Sequence, residues 1–168
     1  MSIFKEPTFW FALISASCAA YTVLNNLYSR CKSLSIHLNW ISYYGGQLNA
    51  SFNFYNPSSE NRSVTNIEIL YDNNHFPVTI YPDILGTRKP DSVSPINAFS
   101  DEIPVNISPK SSVSVIVPFK HLPSGITDVK SLDFIFNVDN KANVRNVLIN
   151  GKLIDPEQLV RRLNRRFQ

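Results

Sequence analysis

Leu48-Asn49-Ala50-Ser51-Phe52-Asn53-Phe54-Tyr55-Asn56-Pro57-Ser58-Ser59 decides the fold. Leu48, Ala50, Phe52 and Phe54 are apolar at every second position, with Asn49, Ser51 and Asn53 between them. In an extended chain successive side chains point to opposite faces, so this spelling makes one dry face and one polar face. The run stops at Asn56-Pro57-Ser58-Ser59, where proline removes a backbone donor and the polar residues favour a turn.

The same spelling recurs on both sides. Upstream, Leu34, Ile36, Leu38 and Trp40 share one parity, with Ser35, His37 and Asn39 on the other. Downstream, Ile67, Ile69 and Tyr71 run into Asp72-Asn73-Asn74, and Phe76 to Tyr81 follows. Further strands are expected at Ile103 to Ile107, Val113 to Val117, Leu132 to Val138 and Asn143 to Ile149. Asp139-Asn140-Lys141 reads as the turn between the last two. Seven or eight short strands separated by turn chemistry, with 11 prolines and no helical period among them, predict an antiparallel immunoglobulin-like β-sandwich over residues 33–154. The cysteine pair and tryptophan spacing of antibody domains are absent. Leu38, Trp40, Phe52, Phe54, Ile69, Val115, Phe134 and Phe136 are expected between the two sheets.

The first 32 residues are of another kind. Pro7 to Ser29 is uncharged throughout, between Lys5-Glu6 and Arg30 with Lys32. About 20 residues at 1.5 Å each cross a hydrocarbon core of roughly 30 Å. Residues 8–28 are therefore expected to form a transmembrane helix behind a short flank at 1–7. Phe9, Trp10 and Phe11 suit one interface, and Leu13, Ile14, Val23 and Leu24 face lipid. Ser15/Ala19 and Ala16/Ala20 are small pairs four apart, the spacing that lets two helices approach in a bilayer; a generic anchor is the plainer reading. A cleaved signal ending near Ser15-Ala16-Ser17, a lipoprotein signal before Cys18 and a buried soluble helix compete with the anchor. The uncharged run continues well past Ser17, which favours the anchor. The side of the membrane stays open. One basic residue precedes the span and two follow it, a lean the amino terminus nearly cancels. Three glycosylation-type triplets decide nothing, because 18 asparagines produce roughly three by chance.

Charge follows the same division. Residues 33–150 hold eight Lys/Arg against ten Asp/Glu, whereas 151–168 hold five against two. A slightly acidic body with basic ends does not suit a nucleic-acid-binding domain, which would spread its basic patch over the body. Tyr43 and Tyr44, beside the Gly45-Gly46 turn, have no basic neighbours to make a stacking platform. Residues 155–168 read as a basic amphipathic helix. Asp155 caps it, Pro156 opens it, and Leu159, Val160, Leu163 and Phe167 form its stripe. Arg161, Arg162, Arg165 and Arg166 could contact anionic lipid or a partner, or simply face water while the helix packs on the sandwich. Pro82 to Asp101 is an unusually long connection. Its Arg88 and Lys89 are a second candidate contact, and the plainer reading is a rigid crossover between sheets.

Local motifs for catalysis are missing: there is no phosphate loop, nucleophile elbow or His-Glu-x-x-His. His37, His75 and His121 stand apart, and Asp101-Glu102 is most simply solvated. Catalytic, cofactor-binding and metal residues are none by this reading. A lipid bilayer and protein partners are expected, with no cofactor and no nucleic acid, and any small-molecule ligand undetermined. The expected function is that of a non-catalytic, single-pass anchored β-sandwich. It would be a structural or assembly subunit of a membrane-associated complex, in a cell envelope or a membrane-containing virion. The alternative is a membrane-tethered binding or inhibitory module, or an exported lipoprotein-like domain.

Overall fold

The computed structural model describes residues 7–44, 46–87, 97–155, 158–159 and 161–162. It is mainly β, with one N-terminal apolar helix, α1 (Pro7–Arg30). Ten strands follow among the described residues: β1 (Ser35–Tyr44), β2 (Gln47–Tyr55), β3 (Arg62–Tyr71), β4 (Asn74–Pro77), β5 (Ile84–Thr87), β6 (Asn97–Phe99), β7 (Val105–Ile107), β8 (Ser112–Phe119), β9 (Ser131–Val138) and β10 (Lys141–Leu148).

Two antiparallel sheets enclose the core. One runs β1-β2-β8; the other runs β10-β9-β3-β4, with β7 also on β3. Leu48, Ala50, Phe52 and Phe54 are all fully buried, as their alternation requires. They meet Leu132, Phe134 and Phe136 of β9, and the Phe52 ring stands edge-on to Phe134 and to Phe136, each at 5.2 Å. Edge-to-face contact sets the positive rim of one ring on the negative face of the next, which fixes the spacing between the layers. The turns are those the residues demand. Asp72 and Asn73, like Asp139 and Asn140, take positive φ, which short polar side chains tolerate and which two-residue hairpins need.

The structure corrects several expectations. Trp40 is buried, but not between the sheets. The register slips between Leu38 and Trp40, so that Leu38 pairs with Phe52, Trp40 with Ser51 and Ile41 with Ala50. One extra residue reverses the parity of everything after it. Ile41 then enters the core, and Trp40 turns to the outer face, against Leu85, Ile116, Ile154 and Leu159. A second slip, between Val64 and Asn66, lets β3 begin at Arg62 with Val64 buried out of phase with Ile67. The expected strand from Phe76 to Tyr81 stops at Pro77, leaving Val78 to bridge Phe119. The long connection is not a bare crossover, since β5 and β6 pair within it. Asp101 is not merely solvated: its carboxylate accepts the Ile116 amide at 2.6 Å. Tyr43 is not a free turn aromatic; it packs on the core and donates to the Leu122 carbonyl at 3.0 Å.

The outer face of the smaller sheet is covered by β5 and the chain after β10. Ile41 and Ile154 exchange the pattern of a strand pair: the Ile41 amide donates to Lys152 O at 2.9 Å and the Ile154 amide to Ile41 O at 2.8 Å. Lys152 also reaches the Leu38 carbonyl with its ammonium. This segment occupies an edge of β1 that would otherwise offer unpaired backbone to other chains.

Candidate functional site

Four features gather where α1 meets the β domain. β1 leaves the helix at Ser35, and Ser35, Tyr55 and Ser112 lie in register across the small sheet. The turns at 56–61, 108–111 and 139–140 therefore share the helix-proximal end.

The first feature is a buried knot. Asn56 is fully buried, and its amide donates to the carbonyls of Glu60 at 2.7 Å, Ile107 at 3.0 Å and Ser108 at 3.2 Å. Its carbonyl oxygen accepts from the Ser58 amide and hydroxyl at 3.0 and 2.7 Å. One side chain thus ties two loops together. Asn56→Asp should cost roughly 2–3 kcal/mol in a urea titration, because a carboxylate cannot donate and leaves buried carbonyls unmet. Parental stability in that variant would remove the knot from the account.

The second feature is a clamp on the helix end. Arg62 donates to Asp139 at 2.7 Å, and its other terminal nitrogen donates to the carbonyls of Arg30 at 2.6 Å and Lys32 at 3.2 Å. Asp139 also accepts the Ser63 amide at 2.9 Å, which fixes the carboxylate. The final carbonyls of a helix lack intrahelical partners and carry partial negative charge, so a guanidinium suits them. Arg30 adds an exposed pair with Glu60 at 3.3 Å. Such a pair holds orientation more than it adds stability. Lys110 reaches Ser29 at 3.4 Å and also bonds the Pro57 carbonyl.

The third feature is α1 itself. Its 24 residues are about 36 Å long at 1.5 Å each, and none of its side chains is buried. It is long and apolar enough to span a membrane. Ser17 and Thr22 return their hydroxyls to the carbonyls of Leu13 and Cys18, both at 2.8 Å, so neither presents an unmet donor to hydrocarbon. The fourth is a cleft of about 430 Å³ beside the helix end, whose charged lining is Arg30, Arg62, Asp139, Lys141 and Arg145.

No family model matches this chain, and no curated protein matches it. Among solved structures it is similar to one titled apo PmoF2 PCuAC domain. The identity is 8%, the match covers 70% of this chain and 90% of that one, and the TM-score is 0.39. A likeness this distant carries no functional argument. Among the described residues no group of three or more His, Cys, Asp or Glu side chains is placed to hold a metal ion.

The residues expected to form the membrane anchor all lie on α1. Trp10, Phe11, Leu13, Ile14, Val23 and Leu24 are exposed, and Phe9 is half-buried with its ring 5.7 Å from Trp10. Ser15, Ala16, Ala19 and Ala20 are exposed on the same helix. In the tail, the Asp155 carboxylate accepts the Gln158 amide at 2.7 Å, the N-cap bond expected of it. Gln158, Leu159, Arg161 and Arg162 are helical; Leu159 is buried against Trp40, and both arginines face solvent. The rest of the expected tail helix, with Arg165 and Arg166, lies outside the described residues, as do Arg88 and Lys89. Sequence reasoning missed Asn56, Arg62, Asp139, Lys141 and Arg145. Asn56, followed two positions later by a serine, carried the local signal of an Asx turn, and Asp139 and Lys141 were legible only as turn residues.

Proposed function

We propose that this chain is a non-catalytic membrane-anchored protein, in which α1 spans a bilayer and an immunoglobulin-like sandwich serves as a structural or assembly subunit of a membrane-associated complex. The observation that carries this reading is the helix of 24 residues without one buried side chain. In water that surface would be a severe exposed patch; in lipid it is the ordinary state. The Arg62 clamp supports it by joining helix and domain through more than a loose linker. The immunoglobulin-like reading is supported by the two antiparallel sheets and by the Phe52, Phe134 and Phe136 contacts between them.

Protein contact is best served by the end remote from α1. There Lys120 pairs with Asp83, and Ile80, Tyr81, Ile84 and Phe99 are exposed, with Ile84 and Phe99 in register. Purified from native membranes in mild detergent, the chain should carry other subunits at fixed stoichiometry. A Tyr81→Asp, Phe99→Asp double variant should release them without leaving the membrane fraction. A parent recovered alone as a monomer would overturn the assembly role. The same exposed residues would then favour the membrane-tethered binding module.

A further inference from the structure

We propose that the cleft beside the end of α1 binds the phosphate-bearing headgroup of an anionic phospholipid. This rests on the reading that α1 spans the bilayer, which sets Arg30 and the cleft mouth at headgroup level. The cleft lies between the two sheets where β1 and β10 leave them apart. Its floor is apolar, from Leu34, Ile36 and Val138, and its rim is cationic, from Arg30, Arg62, Lys141 and Arg145.

The charges do not cancel. Among the described residues Asp139 is the only carboxylate in the lining, and Arg62 takes it at 2.7 Å; Arg30 is held from outside by Glu60. Among the described residues neither Lys141 nor Arg145 forms an ion pair. They share a strand face, since side chains four apart on β10 point the same way. Their cross-strand partners are Val138 and Phe134, so that face is the one turned toward the inner layer. Two cations are thus left over the mouth of an apolar-floored cleft. Arginine presents forked donors that match a phosphate, and lysine adds a point charge. A free phosphate would satisfy the cations but leave Ile36, the partly exposed residue of that floor, wet. A lipid brings its glycerol and chain ends to that floor while its tails lie along the unburied side of α1.

The test uses the full chain in nanodiscs of neutral lipid doped with phosphatidylglycerol, with retained lipid counted by native mass spectrometry. The parent should keep phosphatidylglycerol over phosphatidylcholine at least tenfold beyond their ratio in the disc. A Lys141→Gln, Arg145→Gln variant should lose most of that preference; both residues are exposed, and neither joins the Asn56 knot or the Arg62 clamp. Inorganic phosphate at millimolar level should not displace the lipid. Equal retention of the two lipids, or an unchanged preference in the variant, overturns the site. Full displacement by inorganic phosphate overturns the lipid in favour of the free anion. Resistance of the same samples to alkaline extraction is scored separately. Integrated chains without preference count against the headgroup site alone, and extracted chains count against the span.

Discussion

Truncating Phe134 to alanine should lower the unfolding free energy of the β domain by about 3–5 kcal/mol, the range for a fully buried aromatic. The ring is wholly inaccessible, and it touches Phe52 at 5.2 Å, Phe119 at 6.0 Å and Phe136 at 6.1 Å. The loss combines the transfer of one ring with a cavity that Phe52 and Phe136 cannot close, because each is already set against the other and against Phe54. Total stabilities of domains this size are about 5–15 kcal/mol, so the variant should unfold at a much lower urea concentration with an unchanged slope. A midpoint equal to the parent's would take Phe134 out of the core and with it the register of β9.

The second large effect belongs to α1. Arginine at the middle of a membrane helix costs about 2.5–3.5 kcal/mol on insertion scales. Ala16→Arg together with Ala20→Arg should therefore disfavour insertion by roughly 5–7 kcal/mol and move the chain from membranes to the soluble fraction. No residue of α1 belongs to either apolar cluster of the domain. The released protein should keep the parental β signature in circular dichroism. Undiminished membrane integration of the double variant would mean that residues 16–20 do not cross the hydrocarbon.

The parts of this architecture that sequence exposes are those written with an unbroken period. β9 alternates in burial along its whole length, β2 carries an apolar residue at every second position from Leu48 to Phe54, and every expected core residue on them is buried. β1 and β3 defeat the same reading at one position each. An inserted residue leaves composition untouched and reverses every later side chain, which is why Trp40 and Ile41 exchange faces. The outer layer was hidden for a different reason. Leu85, Ile154 and Leu159 meet Trp40 from the far side of a sheet whose polar face predicted water.

The helix junction was illegible because its members are far apart along the chain. Arg62 clamps Arg30 across 32 positions and Asp139 across 77. Arg30 and Arg145 line one cleft only because β10 and the helix end come to the same place. Charge counts over segments placed the basic excess at the two termini. They could not register Lys141 and Arg145, which belong to a body that is acidic in sum. The apolar helix, by contrast, needs no tertiary contact and was readable from Pro7 onward.

The claim that α1 is retained and holds the domain to a bilayer can be tested on one sample. Membranes carrying the native chain are washed with alkaline carbonate, solubilised, and the protein's amino-terminal sequence is read. Sequence that includes residues 8–28, from protein that resisted the wash, is the predicted result. A mature chain beginning at Cys18 or later, or one released by the wash, would contradict it.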